Sequence, residues 1–358
     1  MKKLIALIAL SLSVITNGEI NVEEWENVKR PQVLTWFREH VYGIAPISRP
    51  GDIEFGERHV SMAGGKIKIE IFLALPKGAS AENPVPVFIF GDHSNVSKTF
   101  PIQKRIYDNV PTNSITARGY AYVCFNCNDV APNTHAKTQE IPWNEGVFKV
   151  YGGDEPNATS WGTISAWAWG YSRVMDWIET RPELDAKRVA VVGHSRGGKT
   201  ALWAAAQDER FALGISNNSG CGGAKLNKMD LPRSEHAKQI LTNFPFWFCL
   251  NFREYIGKDD QVKYDQDDLI RLLAPRLAYV ASASEDPWAG PEGEFEAARR
   301  ASDIWKAYGK RGLSLTSYPK PETQDHSGHI GFHLRKGKHK LLPSDWKRFM
   351  DFADKYMK

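Results

Sequence analysis

The segment that most limits what this chain can become is Val189 to Thr200, which reads VAVVGHSRGGKT. An apolar run, a Gly-x-Ser-x-Gly turn (Gly193, His194, Ser195, Arg196, Gly197) and a small-residue stretch predict a buried strand, a sharp turn and a helix in immediate succession. Chemistry asks for such a turn when a serine must stand clear at the end of a strand. Small neighbours keep the backbone from clashing, and the helix N-terminus aims N–H groups where an oxyanion would form. Ser195 is therefore the candidate nucleophile; the competing reading is a structural glycine-rich turn.

A serine hydroxyl is a weak nucleophile, so a histidine must take its proton and an acid must orient that histidine. After an elbow of this kind they follow in the order serine, acid, histidine, with the acid after a late strand and the histidine before the last helix. The loop after the predicted strand LAYVASA (277–283) carries Glu285 and Asp286. Either carboxylate could serve, and Asp286 is preferred because it lies further into the loop. Among His326, His329, His333 and His339, the last follows Gly337-Lys338 and precedes the closing helix, which is where the base is wanted. His333 sits inside IGFHLR (330–335), which reads as a short strand and so as a packed core histidine; His329 and His333 remain the alternatives.

Around this segment strands and helices alternate. KIKIEIFLAL (66–75) has the polar–apolar alternation of a half-buried strand, whereas PVFIF (86–90) and YAYVCF (120–125) are continuous apolar runs, as expected for strands covered on both faces. Apolar residues at helical spacing between Ile164 and Ile178, and again over Glu292–Tyr308 and Ser344–Met357, predict helices; Ala212–Ser216, Leu277–Ala283 and Leu313–Tyr318 predict further strands. Residues 20–45 read as a helical segment containing Trp25 and Trp36. The alternation implies right-handed crossovers and an α/β architecture, a mostly parallel central sheet flanked by helices. Residues 221–272 interrupt it with a polar, aromatic-rich insertion into what reads as one domain.

At the N-terminus Lys2 and Lys3 precede the apolar run Leu4–Ile15, the pattern of a signal peptide over residues 1–18, so an exported protein, periplasmic or secreted, is expected. The run is short of the ~20 apolar residues of a membrane helix, and no other segment could span a membrane. Without Lys2 and Lys3 the 46 basic residues fall to 44 against 42 acidic, which argues against a nucleic-acid partner. Cys124, Cys127, Cys221 and Cys249 are too few to staple the chain. Cys124 and Cys127 have redox-motif spacing but end an apolar run, so small buried residues are expected; export would allow a Cys221–Cys249 bridge. Zinc would need further ligands at finger-like spacing, and no metal or cofactor is implied.

Two cations near the elbow are unusual. Arg196, directly after the nucleophile, could reinforce an oxyanion hole or bind an anion. Lys199 falls one helical turn after Ser195 among residues that read as buried, so it could share the same mouth; the pair suggests an acidic or hydroxyl-rich substrate. Of twelve tryptophans, most are expected to fill the core. Trp288, in the acid loop, is the one expected to meet a sugar ring.

GHSRGGKTALW (193–203), together with GTISAWAWG (162–170), SGCGGA (219–224), FPFWFC (244–249) and ASEDPWAGP (283–291), resembles bacterial glucuronoyl esterases, carbohydrate esterase family fifteen, from about residue 85 to the C-terminus. The resemblance implies an α/β-hydrolase fold and cleavage of the ester between 4-O-methylglucuronic acid on xylan and a lignin alcohol. It also implies Ser195 as nucleophile, Arg196 as the oxyanion arginine, Lys199 and Trp288 as sugar contacts, and Glu235 as a sugar-binding glutamate. A glucuronoxylan or lignin–carbohydrate ester is the expected partner, and a monomer the expected state. One departure stands out: many members carry a catalytic glutamate where this chain has Asn218, which would shift the acid role to Asp286. Two other readings remain, an acetylxylan esterase or related serine hydrolase of the same fold, and a carbohydrate-binding protein on a decayed hydrolase scaffold.

Overall fold

The apolar runs of the sequence become the strands of one twisted sheet in the computed structural model, which describes residues 20–46, 50–93, 110–133 and 141–358. The expected leader lies outside the described residues. The strands are β1 (Glu54–Phe55), β2 (His59–Met62), β3 (Ile67–Ala74), β4 (Val85–Asp92), β5 (Ala121–Asn126), β6 (Leu184–His194), β7 (Leu213–Asn217), β8 (Leu277–Ala283), β9 (Thr323–Asp325) and β10 (Ile330–Arg335). Their order across the sheet is β1-β2-β3-β5-β4-β6-β7-β8-β10-β9. The six strands from β5 to β10 in that order are parallel, and antiparallel strands close both edges.

The helices are α1 (Val22–Glu24), α2 (Arg30–Phe37), α3 (Thr112–Ala117), α4 (Gly146–Tyr151), α5 (Thr163–Ile178), α6 (Arg196–Gln207), α7 (Ala237–Asn243), α8 (Gln266–Arg271), α9 (Pro291–Ala307) and α10 (Pro343–Tyr356). The first two join through wider turns at Trp25–Lys29 and Arg38–Tyr42 into one helical segment, the one expected from residues 20–45.

The continuous apolar runs are explained by the two faces of the sheet. Along β4, Val87 and Ile89 pack with α5, α6 and α9, whereas Phe88 and Phe90 pack with α3 and α10. Val189 and Val191 of β6 face the first layer, Ala190 and Val192 the second. Because side chains alternate across a strand, a strand buried on both sides has no polar position to spare. In β3, near the edge, the alternation of the sequence survives as alternating burial.

One expected strand does not form. Leu313–Tyr318 is irregular, because the Asp325 carboxylate captures the backbone N–H groups of Ser314 (2.6 Å) and Leu315 (3.2 Å), and β9 already occupies the edge of β10. The insertion between β7 and β8 holds α7, α8 and two short 3-10 turns. No helix among the described residues is long and apolar enough to cross a membrane. The consequence for function is geometric. β6, β7, β8 and β10 run parallel, so the loops leaving their carboxyl ends, which begin near Ser195, Asn218, Ser284 and Lys336, gather at one end of the sheet.

Candidate active site

Ser195 follows the last residue of β6 and caps α6 with φ 58° and ψ −125°, a strained conformation that costs a non-glycine residue roughly 1–3 kcal/mol. The strain is held from both sides. Ser195 donates its N–H to the Asn217 carbonyl at 2.9 Å, and its own carbonyl accepts from Gly198 and Lys199 in the first turn of α6. The small neighbours are required: a Cβ on Gly193 would lie 1.8 Å from the Gly197 carbonyl oxygen, and one on Gly198 would lie 3.0 Å from that of Asn217. Strand, elbow and helix therefore form as the motif predicts, with Ser195 at the mouth of a cleft of about 320 Å³.

His339 lines the same cleft, on the loop between β10 and α10. Its Nδ1 lies 2.6 Å from Asp286 Oδ2, in the loop after β8. Burial alone would raise the Asp286 carboxyl, but the His339 hydrogen bond and charge and the Asn218 amide more than offset it and hold it below its ordinary range. Glu285 is exposed, and its backbone N–H donates to the Gly337 carbonyl at 2.9 Å. Of the two carboxylates left open by the sequence, Asp286 is the one that meets the histidine.

Asn218 proves to be more than a missing acid. At φ 47° after β7, it donates its Nδ2–H to Asp286 Oδ2 at 2.9 Å, the same oxygen that faces His339. An amide here thus steadies the neighbouring carboxylate, where a second carboxylate would repel it. The other histidines lie elsewhere. His333 is fully buried on β10 between the Tyr279 hydroxyl (3.0 Å) and Asp345 (2.9 Å), and His326 meets the far side of that hydroxyl at 2.7 Å. Burial and the nearby His333 push His326 down to about 4. His329 precedes β10 and so sits at the amino end of the strands, away from the elbow.

The rest of the cleft suits a polar ring. Lys199, only 3% exposed, donates to the carbonyls of Ser219 and Cys221 and to Glu235 Oε2 at 3.1 Å. Glu235 Oε1 in turn accepts the Trp288 indole N–H at 3.0 Å, while the Trp288 ring remains 44% exposed. Lys199, Glu235 and Trp288, distant in sequence, are one hydrogen-bonded wall. In the same cleft, Phe244 and Trp247 stack at 3.9 Å with ring planes 5° apart, and the Arg196 guanidinium carbon lies 5.7 Å from the centre of the Trp247 ring.

Sequence reasoning did not single out Phe244 and Trp247 as site residues, although both stand in the aromatic FPFWFC segment. His194 was missed as well. It hydrogen-bonds Asn217 at 2.7 Å, lies 4.6 Å from the His339 ring, and is pushed down to about 4 by burial and then by His339. Nothing in the sequence marks it except its place before the serine. All four cysteines are free and buried, so no Cys221–Cys249 bridge forms. Burial raises both the Cys221 and the Cys249 thiols to about 12, which makes them poor nucleophiles. No cluster of metal-binding side chains occurs among the described residues.

The chain is similar to known proteins over most of its length. The profile of the family described as "Glucuronyl esterase, fungi" matches residues 59–309. Carbohydrate esterase MZ0003, from an unknown prokaryotic organism, is 35% identical over 94% of this chain and 86% of its own length. The 4-O-methyl-glucuronoyl methylesterase 1 of Phanerochaete chrysosporium is 27% identical over 69% of this chain, which spans 48% of that longer protein. Among solved structures, a promiscuous CE15 esterase from a marine bacterial metagenome superposes with a TM-score of 0.81 at 33% identity, covering 94% of both chains. A glucuronoyl esterase from Solibacter usitatus gives 0.80 at 29% identity, over 94% of this chain and 93% of that one.

Proposed function

Because the chain belongs to the glucuronoyl esterase family and is thus a carboxylic ester hydrolase on an α/β-hydrolase fold, we propose that it cleaves 4-O-methylglucuronoyl esters joining glucuronoxylan to lignin alcohols, through an acyl-enzyme on Ser195. The observation that carries the proposal is the cleft itself, where Ser195 and His339 stand beside the Lys199–Glu235–Trp288 wall. A nucleophile and its base alone would serve any ester. A buried ammonium and carboxylate, joined to an exposed indole, are suited to the hydroxyls and the face of a sugar ring.

In this mechanism His339 Nε2 takes the proton of Ser195 Oγ as the oxygen attacks the uronoyl carbonyl. The resulting imidazolium keeps its Nδ1–H on Asp286, which in turn is held by Asn218. The oxyanion gathers at the N-terminus of α6, where the Arg196 backbone N–H and guanidinium supply positive potential. His339 then gives its proton to the departing alcohol. Water, activated by the same imidazole, releases the uronic acid from Ser195.

The test compares kcat/KM for benzyl glucuronate with that for acetylated xylan and a nitrophenyl acetate. The proposal expects the uronate ester to be preferred and the preference to shrink in Trp288→Ala. Equal or better turnover of acetyl esters would replace it with the acetylxylan esterase reading. Export is part of the same proposal, resting on Lys2, Lys3 and the apolar run after them. Fractionation of expressing cells checks it, and a full-length protein retained in the cytoplasm would count against it.

A further inference from the structure

His339 stands on a loop that has little of its own to hold it. Lys336, Lys338, His339 and Lys340 are all exposed, and no apolar side chain occurs between Lys336 and Lys340. Yet the acyl-transfer reading needs the imidazole fixed to within about half an ångström. The loop gets that order from beneath.

Arg335, the last residue of β10, is 3% exposed and its guanidinium forms the inside of the loop. Nη2 donates to the carbonyl of Lys338 at 2.8 Å and to that of Lys340, the two carbonyls that flank His339, and Nη1 reaches the Lys336 carbonyl at 3.3 Å. Nε is spent on Asp345 Oδ2 at 3.2 Å. Asp345 is fully buried in the first turn of α10; its Oδ2 also accepts the Leu342 N–H at 2.8 Å, and its Oδ1 meets His333 at 2.9 Å. Both ends of the loop are therefore tied to one ion pair. Gly337 is part of the device: at φ 117° it takes a turn that disfavours any side chain, and a Cβ there would lie 3.0 Å from Arg335 Nη1.

We propose that Arg335, locked by Asp345 and His333, is a positioning residue that sets the His339 imidazole against Ser195 and Asp286 by gripping the two carbonyls on either side of it. The proposal rests on His339 being the base, but it assigns to Arg335 no contact with substrate. A planar fork can bridge two carbonyls and a carboxylate at fixed angles, and a lysine ammonium cannot. A misplacement near 1 Å costs about 10²-fold in rate, so Arg335→Lys should lower kcat by about that factor while leaving KM within threefold.

The experiment measures kcat and KM for benzyl glucuronate in Arg335→Lys and in Gly337→Ala, which leaves every charge in place. Proton NMR then follows the downfield signal of the His339 Nδ1–H···Asp286 hydrogen bond, and the Trp fluorescence melt reports on the fold. The expected result in both variants is reduced kcat, near-normal KM, a weakened or shifted downfield signal and a cooperative melt. Lys338→Ala and Lys340→Ala, which alter only exposed side chains, should behave as wild type. Wild-type kcat with an unchanged downfield signal in both Arg335→Lys and Gly337→Ala overturns the proposal, as does a loss confined to KM. The NMR signal is read without substrate, so a failure of the uronate-ester reading would appear as inactivity of the wild type and leave the test of Arg335 standing.

Discussion

Replacing Asp286 by asparagine removes the charge of the triad while keeping the size of the side chain. Asp286 Oδ2 accepts from His339 at 2.6 Å and from Asn218 at 2.9 Å, and an amide with its oxygen in that place can accept both. In that orientation the amide NH2 faces the Ala289 N–H that Asp286 Oδ1 accepts at 3.4 Å, and what is lost in either orientation is the negative charge that stabilises the imidazolium as Ser195 gives up its proton. For unit charges with centres about 4 Å apart at an effective dielectric near 20, that interaction is about 4 kcal/mol. Such a loss lowers kcat by about three orders of magnitude, since each factor of ten corresponds to ~1.4 kcal/mol. The assay is steady-state hydrolysis of benzyl glucuronate, with Glu285→Gln as the control for an exposed carboxylate in the same loop. The control should stay within twofold of wild type, the usual outcome for a surface change away from the chemistry. An Asp286→Asn enzyme within tenfold of wild type, or a collapse in Glu285→Gln, would refute the reasoning.

Asn218→Ala removes a hydrogen bond to a buried carboxylate, of the kind that contributes about 1.5–3 kcal/mol, so kcat should fall about tenfold or more with KM little changed; an unaltered kcat would leave Asn218 a spectator. Lys199→Met leaves Glu235 a buried charge with Trp288 as its one remaining side-chain partner among the described residues, and a loss of roughly 3–5 kcal/mol in a denaturant melt is expected along with a raised KM for uronate esters. Glu294 is fully buried and accepts from the Ser219 and Gly220 N–H groups and the Ser282 hydroxyl, and burial pushes its carboxyl up to about 7. With the folded value raised above the unfolded one, its stabilising contribution is complete at pH values below the unfolded value and is lost as pH rises through about 7. Glu294→Gln keeps one oxygen to accept from the Ser219 and Gly220 N–H groups, turns the other into an NH2 that can donate to the Ser282 hydroxyl, and removes the titration, so its melting temperature should fall less than that of wild type between pH 5 and pH 8; parallel curves would contradict the assignment.

The elbow was legible because its demands are local: Gly193, Gly197 and Gly198 are the residues a sharp strand-to-helix turn needs, and the strand before them ends in the apolar run Val189–Val192. Asp286 and His339 could be chosen by chain order, since parallel strands deliver their following loops to one end of the sheet. That Trp288 lines the cleft was legible from its place in the acid loop. The bond from Asn218 to Asp286 was not, because it depends on the turn at φ 47° after β7, which the sequence does not dictate for an asparagine. The Phe244–Trp247 platform was hidden among aromatic residues that serve the core elsewhere. The expected strand at Leu313–Tyr318 failed because one distant carboxylate, Asp325, outcompeted a ladder for its N–H groups. The grip of Arg335 on the His339 loop was invisible for the same reason, since it is made to backbone carbonyls, which every sequence has.

The central claim is a uronoyl acyl-enzyme on Ser195, and the most direct measurement is hydrolysis of benzyl glucuronate by wild type and Ser195→Ala side by side, with a fluorophosphonate to count competent serines. The account predicts stoichiometric labelling of wild type at Ser195, uronate-ester cleavage in proportion to the labelled fraction removed, and neither in Ser195→Ala. Cleavage that persists in Ser195→Ala, or wild-type protein that neither takes the label nor hydrolyses the ester, would contradict it.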